Sequence, residues 1–333
     1  MHTAYPRVSI GVVLYKGERY IPFSLPSLFR LSYPGEVEFF FVDYEQFSAE
    51  KEAKKLLPKK YPSPVFFLRS EQKKWHSGGH NMAIARATGK YYLCASVDML
   101  YDENFLLPLV QALESNSHYA SATGALLYWD FKQKEKTTRI DSLGLSLSSF
   151  HRCRDIFQGK DMASTPASPR EVFGASGALA LYRISDLNAI AQRSVSPPQY
   201  FDELLHYKDD VDMAYRLQWL GKPSVFVPHS RVWHHRQVST QTKKTRFAKE
   251  NSLLGNSIVL HRHVLFQGFS LLVSLKTFLL FFGYLFVSGN FFLPFFLWFE
   301  YGRELRRKKA EMPKNVSSTH FSQFFSSPFP DQK

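Results

Sequence analysis

The first half of the chain alternates short apolar runs with amphipathic stretches of helical period. This alternation predicts βαβ units and a largely parallel sheet. In such sheets ligands bind beyond the carboxyl ends of the strands, so Tyr15, Asp43 and Asp98, which close or follow apolar runs, are candidates for a site. The predicted strands are residues 8–15, 37–43, 65–68 and 91–97, and the predicted helices are residues 20–31, 48–57 and 81–87.

The second half is patterned more loosely, because Ser, Gly and Pro are scattered through residues 123–178. Gly221 marks the expected end of one helix, since glycine commonly follows a helix C-terminus. The whole pattern predicts an α/β domain over residues 1–262, with a central mixed sheet flanked by helices. Its later features are a loop at 161–170, an ordered segment at 171–182, a helix near 209–220 and a strand at 224–227.

The C-terminal part is predicted to be a hydrophobic helical appendage. Residues 277–299 carry no charge and are long enough to cross a bilayer. A central Ser-Gly-Asn break and basic flanks on both sides instead favour a re-entrant or interfacial hairpin near anionic head groups. The alternative is the buried core of a soluble domain. We expect residues 263–312 to associate with a membrane and residues 313–333 to be a flexible tail. The flanking cations are Lys243, Lys244, Arg246, Lys249, Arg262, Arg303, Arg306, Arg307, Lys308 and Lys309.

The composition adds a strongly basic balance. The 333 residues carry a formal net charge of +13, which suggests an anionic partner such as nucleic acid, an acidic membrane or a phosphorylated substrate. The cations concentrate around the apolar C-terminal segment and no nucleic-acid motif is present, so we expect no nucleic-acid partner. The two cysteines, Cys94 and Cys153, are too few for a disulfide framework.

Asp98 and His234 are candidate ligands for a divalent cation. Asp98 follows a strand, so its carboxylate is expected at the sheet edge; the alternative is that it caps a helix near residues 104–113. His234 and His235 follow the last strand, and neutral imidazole is a good metal ligand. Adjacent side chains on an extended segment point to opposite sides, and we expect His234 to face the site.

Two glycines lie before a predicted helix that starts near Asn81. Gly78 and Gly79 would let the backbone approach a ligand closely, with free helix N–H groups facing an anion. The alternative is an ordinary turn.

Three acids open the helix that ends at Gly221. Capping by Asp209 and an ion pair between Asp212 and Arg216 would account for two of them without any chemistry. Asp210 remains, and its place on the first turn suits a general base.

These segments, in this order, resemble the family 2 glycosyltransferases of the GT-A fold, particularly the rhamnosyltransferase-like branch that builds bacterial surface polysaccharides. The similarity covers roughly residues 7–260. The resemblance implies that Asp43 contacts the nucleobase, that Asp98 and His234 hold the metal, and that Asp210 is the base. The implied substrate- or donor-binding residues, with Gly177 in the loop beneath the acceptor site, are Tyr15, Asp43, Gly79, Asn81, Asp98, Gly177 and Asp209. Lys16, Tyr44, Ser96 and Asp209 depart from the residues usual in the family.

The resemblance also implies an activity. It is an inverting transfer of a sugar from a dTDP-rhamnose or UDP-hexose type donor, with Mg²⁺ or Mn²⁺, to a saccharide or lipid-linked saccharide. We expect the protein at the cytoplasmic face of the cell membrane, bound to its anionic surface through residues 265–309. The alternative is a catalytically inactive binding protein that keeps the fold and the membrane tether.

Overall fold

The computed structural model describes residues 5–59, 61–236, 246–264, 275, 279, 302–304, 306–325 and 327–329. Most of the apolar run at residues 277–299 lies outside these ranges, and so does the hairpin predicted for it. Among the described helices, none is both long and apolar enough to pass through a membrane.

Strands and helices alternate through the first half of the chain, as the sequence pattern predicts. The strands are β1 (Val8–Val13), β2 (Val37–Tyr44), β3 (Val65–Ser70), β4 (Tyr91–Ser96), β5 (Met99–Tyr101), β6 (Ser121–Asp130), β7 (Glu135–Ser142), β8 (Leu145–Leu147), β9 (Cys153–Asp155), β10 (Arg170–Val172), β11 (Leu179–Arg183) and β12 (Ser224–His234). The helices are α1 (Ile21–Phe29), α2 (Ser48–Leu56), α3 (Trp75–Ile84), α4 (Leu106–Ser115), α5 (Ile184–Ala189), α6 (Asp209–Trp219) and α7 (Arg246–His263), with 3-10 helices at Met162–Ser164 and Ser318–Phe324.

The expected central mixed sheet is confirmed. Its strand order is β10-β12-β6-β11-β4-β1-β2-β3. The predicted strands β1, β2, β3 and β4 pair in parallel, with β1 between β2 and β4. β11 is antiparallel to β4 and β6, whereas β12 is parallel to β6. Because β1 to β4 are parallel, their carboxyl ends meet at one edge of the sheet.

Helices cover both faces of this sheet, which explains the continuous apolar runs in its strands. On β2, Phe39 and Phe41 belong to the core that includes residues of α1 and α2. The intervening Phe40 and Val42 belong to the core that includes residues of α3 and α6. Successive side chains therefore point to opposite, equally buried faces.

The structure contains strands that the apolar pattern does not predict. β6 begins with small polar residues that are buried and hydrogen bonded. Ser121 Oγ lies 2.6 Å from Ser224 Oγ, and Thr123 Oγ1 donates to the Leu179 carbonyl at 2.8 Å. β12 continues beyond the predicted strand to His234, with a register shift between Val227 and Arg231. The strand passes Pro228, which has no N–H for the ladder.

A buried ion cluster joins α6 and α7 to the C-terminal residues. Arg262 contacts Asp202 and lies 2.6 Å from Asp212, and Lys308 lies 2.7 Å from Asp202. Arg216 lies 2.9 Å from Asp212, so the predicted ion pair on α6 is confirmed. Arg262 and Lys308 are therefore inside the protein, and the expectation that these two flanking cations face head groups is wrong.

The described C-terminal residues also pack against the domain. Phe321 and Phe324 lie in the segment that we expected to be flexible, yet both are buried. The ring of Phe321 lies 4.7 Å from that of Trp219 and 5.6 Å from that of Tyr215, both on α6. Residues 318–324 thus extend the core of the domain.

Candidate active site

A cavity of about 900 Å³ lies at the edge of the sheet where β4 ends. It is lined by residues from β4, the start of α6 and the end of β12, together with the hairpin β8–β9. Four of the predicted site residues line it directly, namely Gly177, Asp209, Asp210 and His234.

The backbone of three strands brings Asp98 and His234 together. Asp98 stands between β4 and β5, and His234 pairs with Met99 at the start of β5. Nε2 of His234 is 3.4 Å from Oδ1 of Asp98, and Ser96 Oγ donates to the same oxygen at 2.8 Å. The described helix α4 begins at Leu106, and it is Asp102 that accepts a backbone N–H there, from Asn104. The capping alternative for Asp98 is therefore wrong.

His235 points away from this pair. Its Nδ1 lies 2.7 Å from the hydroxyl of Tyr20, and its ring packs against Phe131. The alternation expected along an extended strand therefore separates the two histidines, with His234 lining the cavity.

Asp141 on β7 fixes the His234 ring, and the sequence pattern does not predict this residue. Its Oδ2 lies 2.7 Å from His234 Nδ1, and its Oδ1 accepts from Arg236 at 3.0 Å. Burial alone would lower the pKa of His234, but the charge of Asp98 and the hydrogen bond to Asp141 raise it to about 10. A carboxylate on Nδ1 is the arrangement that orients metal-binding histidines, leaving Nε2 for the ion.

Asp210 lies on the first turn of α6 beneath a glycine loop. Its Oδ1 accepts from the backbone N–H of Val211 at 2.8 Å, and its Oδ2 accepts from that of Gly177 at 3.3 Å. A Cβ on Gly177 would lie 3.0 Å from that of Asp210, so glycine allows this close approach. Burial and then the charge of Asp209 raise the pKa of Asp210. A carboxyl group with a raised pKa suits proton transfer near neutral pH.

Asp209 does not cap α6. The residue before the helix, Lys208, has left-handed backbone geometry with φ of 72°, and no side chain caps the helix there. Oδ2 of Asp209 instead lies 2.8 Å from Nδ1 of His76 and accepts from Ser77 Oγ at 3.3 Å. This carboxylate therefore joins α6 to α3.

The glycines of α3 lie inside the helix, so the predicted helix start near Asn81 is wrong. The helix begins at Trp75, and Gly78 N–H donates to the Lys74 carbonyl at 3.0 Å. Gly79 is buried, and a Cβ there would meet the hydroxyl of Tyr44 at 2.3 Å. Gly79 therefore allows helix–sheet packing, Gly78 lies close to Lys74 and Glu203, and the expected anion cradle before the helix is not formed.

Asn81 is committed to the protein backbone. Its Oδ1 accepts from the N–H groups of Tyr200 and Phe201 at 3.0 and 2.8 Å, and its Nδ2 donates to the Phe201 carbonyl and Glu203. The Asn81 amide therefore holds the loop that leads to α6. Both of its N–H groups are used in these contacts, so neither is free for a sugar nucleotide.

Tyr15 and Asp43 lie near the ends of β1 and β2, outside the residues that line the cavity. The carboxylate of Asp43 accepts backbone N–H groups from Tyr44 and Glu50, both at 2.8 Å. Tyr15 donates to Glu45 at 3.0 Å. The structure thus places Asp43 at the start of α2, with its oxygens already hydrogen bonded.

The rest of the cavity wall carries more cations than acids, which the residue pattern did not indicate, although Arg236 is paired with Asp141 and Asp155. Several cations from the segment around β9 and from the chain before α6 and after β12 line it beside the site residues. They are Arg152, Arg154, Lys160, Lys208 and Arg236. A cavity with this lining attracts an anionic ligand.

The architecture is that of the GT-A glycosyltransferases, as solved structures show. GalNAc-T7 with UDP, GalNAc and Mn²⁺ matches with a TM-score of 0.58 and 13% identity, over 78% of this chain and 49% of that one. The mannosyltransferase PcManGT from Pyrobaculum calidifontis, in complex with GDP-Man and Mn²⁺, matches with a TM-score of 0.55 and 14% identity, over 93% of this chain and 74% of that one. TarS of S. aureus gives a TM-score of 0.50 at 14% identity, over 77% of this chain and 39% of that one.

The chain itself belongs to glycosyl transferase family 2, whose sequence profile matches residues 9–190. Its family and its fold are therefore those of glycosyltransferases. It spans about half the length of GalNAc-T7. No curated protein sequence matches it.

Proposed function

We propose that the protein is an inverting, metal-dependent glycosyltransferase that uses a nucleotide-diphosphate sugar. The observation that carries this proposal is that His234, paired with Asp98, and Asp210 line one basic cavity. Such a displacement needs a cation that neutralises the leaving diphosphate and a base that removes the proton of the acceptor. Asp98 with His234 would hold the cation, and Asp210 would be the base.

Asp98 and His234 fit a divalent cation of the Mg²⁺ or Mn²⁺ type. One carboxylate oxygen and one imidazole nitrogen lie 3.4 Å apart, a separation that two neighbouring ligands of one ion can adopt. When bound, such an ion would neutralise the charge that develops on the diphosphate as the sugar leaves. The cations of the cavity wall would add to this neutralisation.

Asp210 is the proposed general base. Its carboxylate would accept the proton of the acceptor hydroxyl while the acceptor oxygen bonds to the anomeric carbon and the bond to the nucleoside diphosphate breaks. Gly177 N–H holds one oxygen of this carboxylate, which fixes its direction in the cavity. The adjacent Asp209, which was expected to bind the donor, also raises the pKa of Asp210.

The finer assignments follow from the resemblance and the charge pattern. We propose a dTDP-rhamnose or UDP-hexose type donor, and a saccharide or lipid-linked saccharide acceptor in surface polysaccharide synthesis. The uncharged run at residues 277–299 and its basic surroundings support association with an anionic membrane at the cytoplasmic face, through residues 265–309. Residues 1–262 would then carry the catalytic domain.

The test is nucleoside diphosphate release by the purified full-length protein in detergent. A panel of UDP, dTDP and GDP sugars is offered with Mn²⁺ or Mg²⁺ and candidate saccharide acceptors. We expect metal-dependent release with one donor, reduced by about 10²–10⁴-fold in Asp210→Asn. His234→Gln should also lose activity, whereas the adjacent His235→Gln is the matched control and should keep it.

Two results would contradict the proposal. Full activity in Asp210→Asn would show that Asp210 is not the general base. Failure of every donor to bind or to turn over would favour the inactive binding protein instead.

A further inference from the structure

Two histidines and a cysteine converge beneath the cavity, apart from the Asp98–His234 pair. His76 and His80 are four residues apart on α3 and therefore lie on one face of the helix. Cys94 on β4 faces them. Its Sγ lies 3.2 Å from Nε2 of His80 and 3.7 Å from Nε2 of His76. We call these three residues the His/Cys cluster, and one ligand atom from each lies within 4.8 Å of the others.

Both histidine rings are held from behind. Nδ1 of His76 lies 2.8 Å from the Asp209 carboxylate, and Nδ1 of His80 lies 2.7 Å from the hydroxyl of Tyr92. These partners leave the Nε2 atoms directed at the same sulfur. A carboxylate or hydroxyl on the far nitrogen is the usual support of a metal-binding histidine.

The spacing of the three atoms matches a tetrahedral zinc site. With Zn–S of about 2.3 Å and Zn–N of about 2.0–2.1 Å, tetrahedral angles place sulfur and nitrogen about 3.5 Å apart. The two observed separations, 3.2 and 3.7 Å, lie on either side of this value. We propose that His76, His80 and Cys94 bind Zn²⁺, with a fourth position on the side of the cavity. His76 is the ligand that lines the cavity and is one-third exposed there, whereas His80 and Cys94 are fully buried.

This site differs in chemistry from the proposed donor-metal site. A thiolate and two imidazoles select zinc and similar ions, whereas the carboxylate of Asp98 suits Mg²⁺ or Mn²⁺. One protein could therefore hold both ions without competition between the two sites. The zinc proposal does not depend on the proposed function, because its ligands and its test involve no sugar donor.

The position of the cluster indicates a positioning role. Cys94 Sγ lies 3.3 Å from the Gly177 carbonyl, and Gly177 N–H contacts Asp210. The partner of His76, Asp209, is the residue before Asp210 on α6. Zinc bound here would thus join α3, β4 and α6 directly beneath the proposed base.

The first experiment measures zinc in the purified full-length protein by mass spectrometry after growth with added zinc. We expect about one zinc per chain. Cys94→Ser should lose most of it, whereas Cys153→Ser, the matched control at the other cysteine, should keep it. Asp98→Asn should also keep it, since that residue belongs to the other site. Tyr92→Phe, which removes only the hydroxyl behind His80, should weaken zinc binding by about 10–100-fold.

A second measurement needs no variant that could misfold. Cobalt bound to the wild-type protein should give the visible bands of a tetrahedral ion and a near-ultraviolet sulfur-to-cobalt charge-transfer band. Absence of the sulfur band in cobalt-treated wild-type protein would overturn the proposal. So would zinc content that is unchanged in Cys94→Ser, or that falls as much in Cys153→Ser.

Discussion

Asp210 lies near charges of opposite sign, so replacing these neighbours should change its pKa in opposite directions. Burial and Asp209 raise its pKa, whereas Lys208 lowers it. A general base must be ionised, so activity should fall as the pH drops through this pKa. We expect Asp209→Asn to shift the acidic limb of the kcat/KM profile to lower pH, because a neighbouring negative charge is removed. Lys208→Gln should shift it to higher pH.

The decisive result is that the acidic limb of the kcat/KM profile moves in opposite directions in Asp209→Asn and Lys208→Gln. General damage to the site would lower activity in both variants without moving this limb in opposite directions. Asp155 also raises the pKa of Asp210, by a smaller amount than Asp209. Asp155→Asn is therefore the graded control and should give a smaller shift to lower pH. Identical profiles in all three variants would show that Asp210 does not set the acidic limb.

Asp141 is predicted to act on the metal through His234. Without its carboxylate, the ring loses the partner on Nδ1 that directs Nε2 toward Asp98. Asp141→Asn should therefore weaken Mn²⁺ binding by about 10–100-fold, measured by titration calorimetry on protein without donor. Asp155→Asn is the control, since it removes the other partner of Arg236 without touching His234. Equal affinities in both variants would contradict this role.

The position of a single residue at the edge of the sheet could be predicted from the sequence where the residue lies near the end of a strand or opens a helix, whereas its role stays a prediction. Asp98, Asp210 and His234 belong to this group. The contact of Asp141 with His234 could not be predicted, because the two residues are 93 positions apart and β7 has no apolar alternation that would mark it as a strand. The His/Cys cluster could not be predicted either, because Cys94 lies within an apolar run, where a buried thiol is ordinary.

At the level of elements, α3 depends on a close approach to the sheet. A Cβ at Gly79 would meet the Tyr44 hydroxyl at 2.3 Å and Val13 Cγ2 at 2.5 Å. Alanine is the better helix former, so an exposed Gly→Ala change would stabilise the helix. Here overpacking should dominate, and we expect Gly79→Ala to lower the free energy of unfolding by about 1–3 kcal/mol in urea titrations.

The Tyr44→Phe background provides the control. Removing the hydroxyl takes away the nearest clash, so Gly79→Ala should cost less in Tyr44→Phe than in the wild type. The same cost in both backgrounds would place the strain elsewhere. Rescue should be partial, since Val13 remains in place.

The strands and helices of the first half were predictable because their buried positions are occupied by hydrophobic residues. The start of α3 was not predictable, since its first turns carry His, Ser and Gly, whose contacts are with Asp209 on α6 and with residues of the sheet. β6 escaped prediction because Ser121 and Thr123 satisfy their hydroxyls with neighbouring strands. Polar residues whose partners are distant in sequence give no local signal.

At the level of the whole molecule, the buried ion cluster links α6, α7 and the C-terminal residues. Arg262 faces both Asp202 and Asp212. Removing one member of a buried ion pair leaves an uncompensated charge, which typically costs 3–5 kcal/mol. We expect Arg262→Met to lower the free energy of unfolding by about this amount in denaturant titrations, in detergent.

Arg303→Met is the matched control from the other basic flank. Arg303 is exposed, so its replacement should change stability by about 0.5 kcal/mol or less. If the two variants were equally stable, the ion cluster would not contribute to folding. Composition alone could not separate these cations, because Arg262 contacts acids that lie 50 and 60 residues away and Lys308 contacts an acid 106 residues away.

The ion cluster ties together two parts of the chain that are far apart in the sequence. Arg262 and Lys308 contact the same carboxylate, that of Asp202, and Lys309 donates to the His261 carbonyl at 3.0 Å. The end of α7 and the residues around Lys308 are therefore fastened at one spot on the domain. The cluster thus works as a non-covalent cross-link between α7 and the described C-terminal residues.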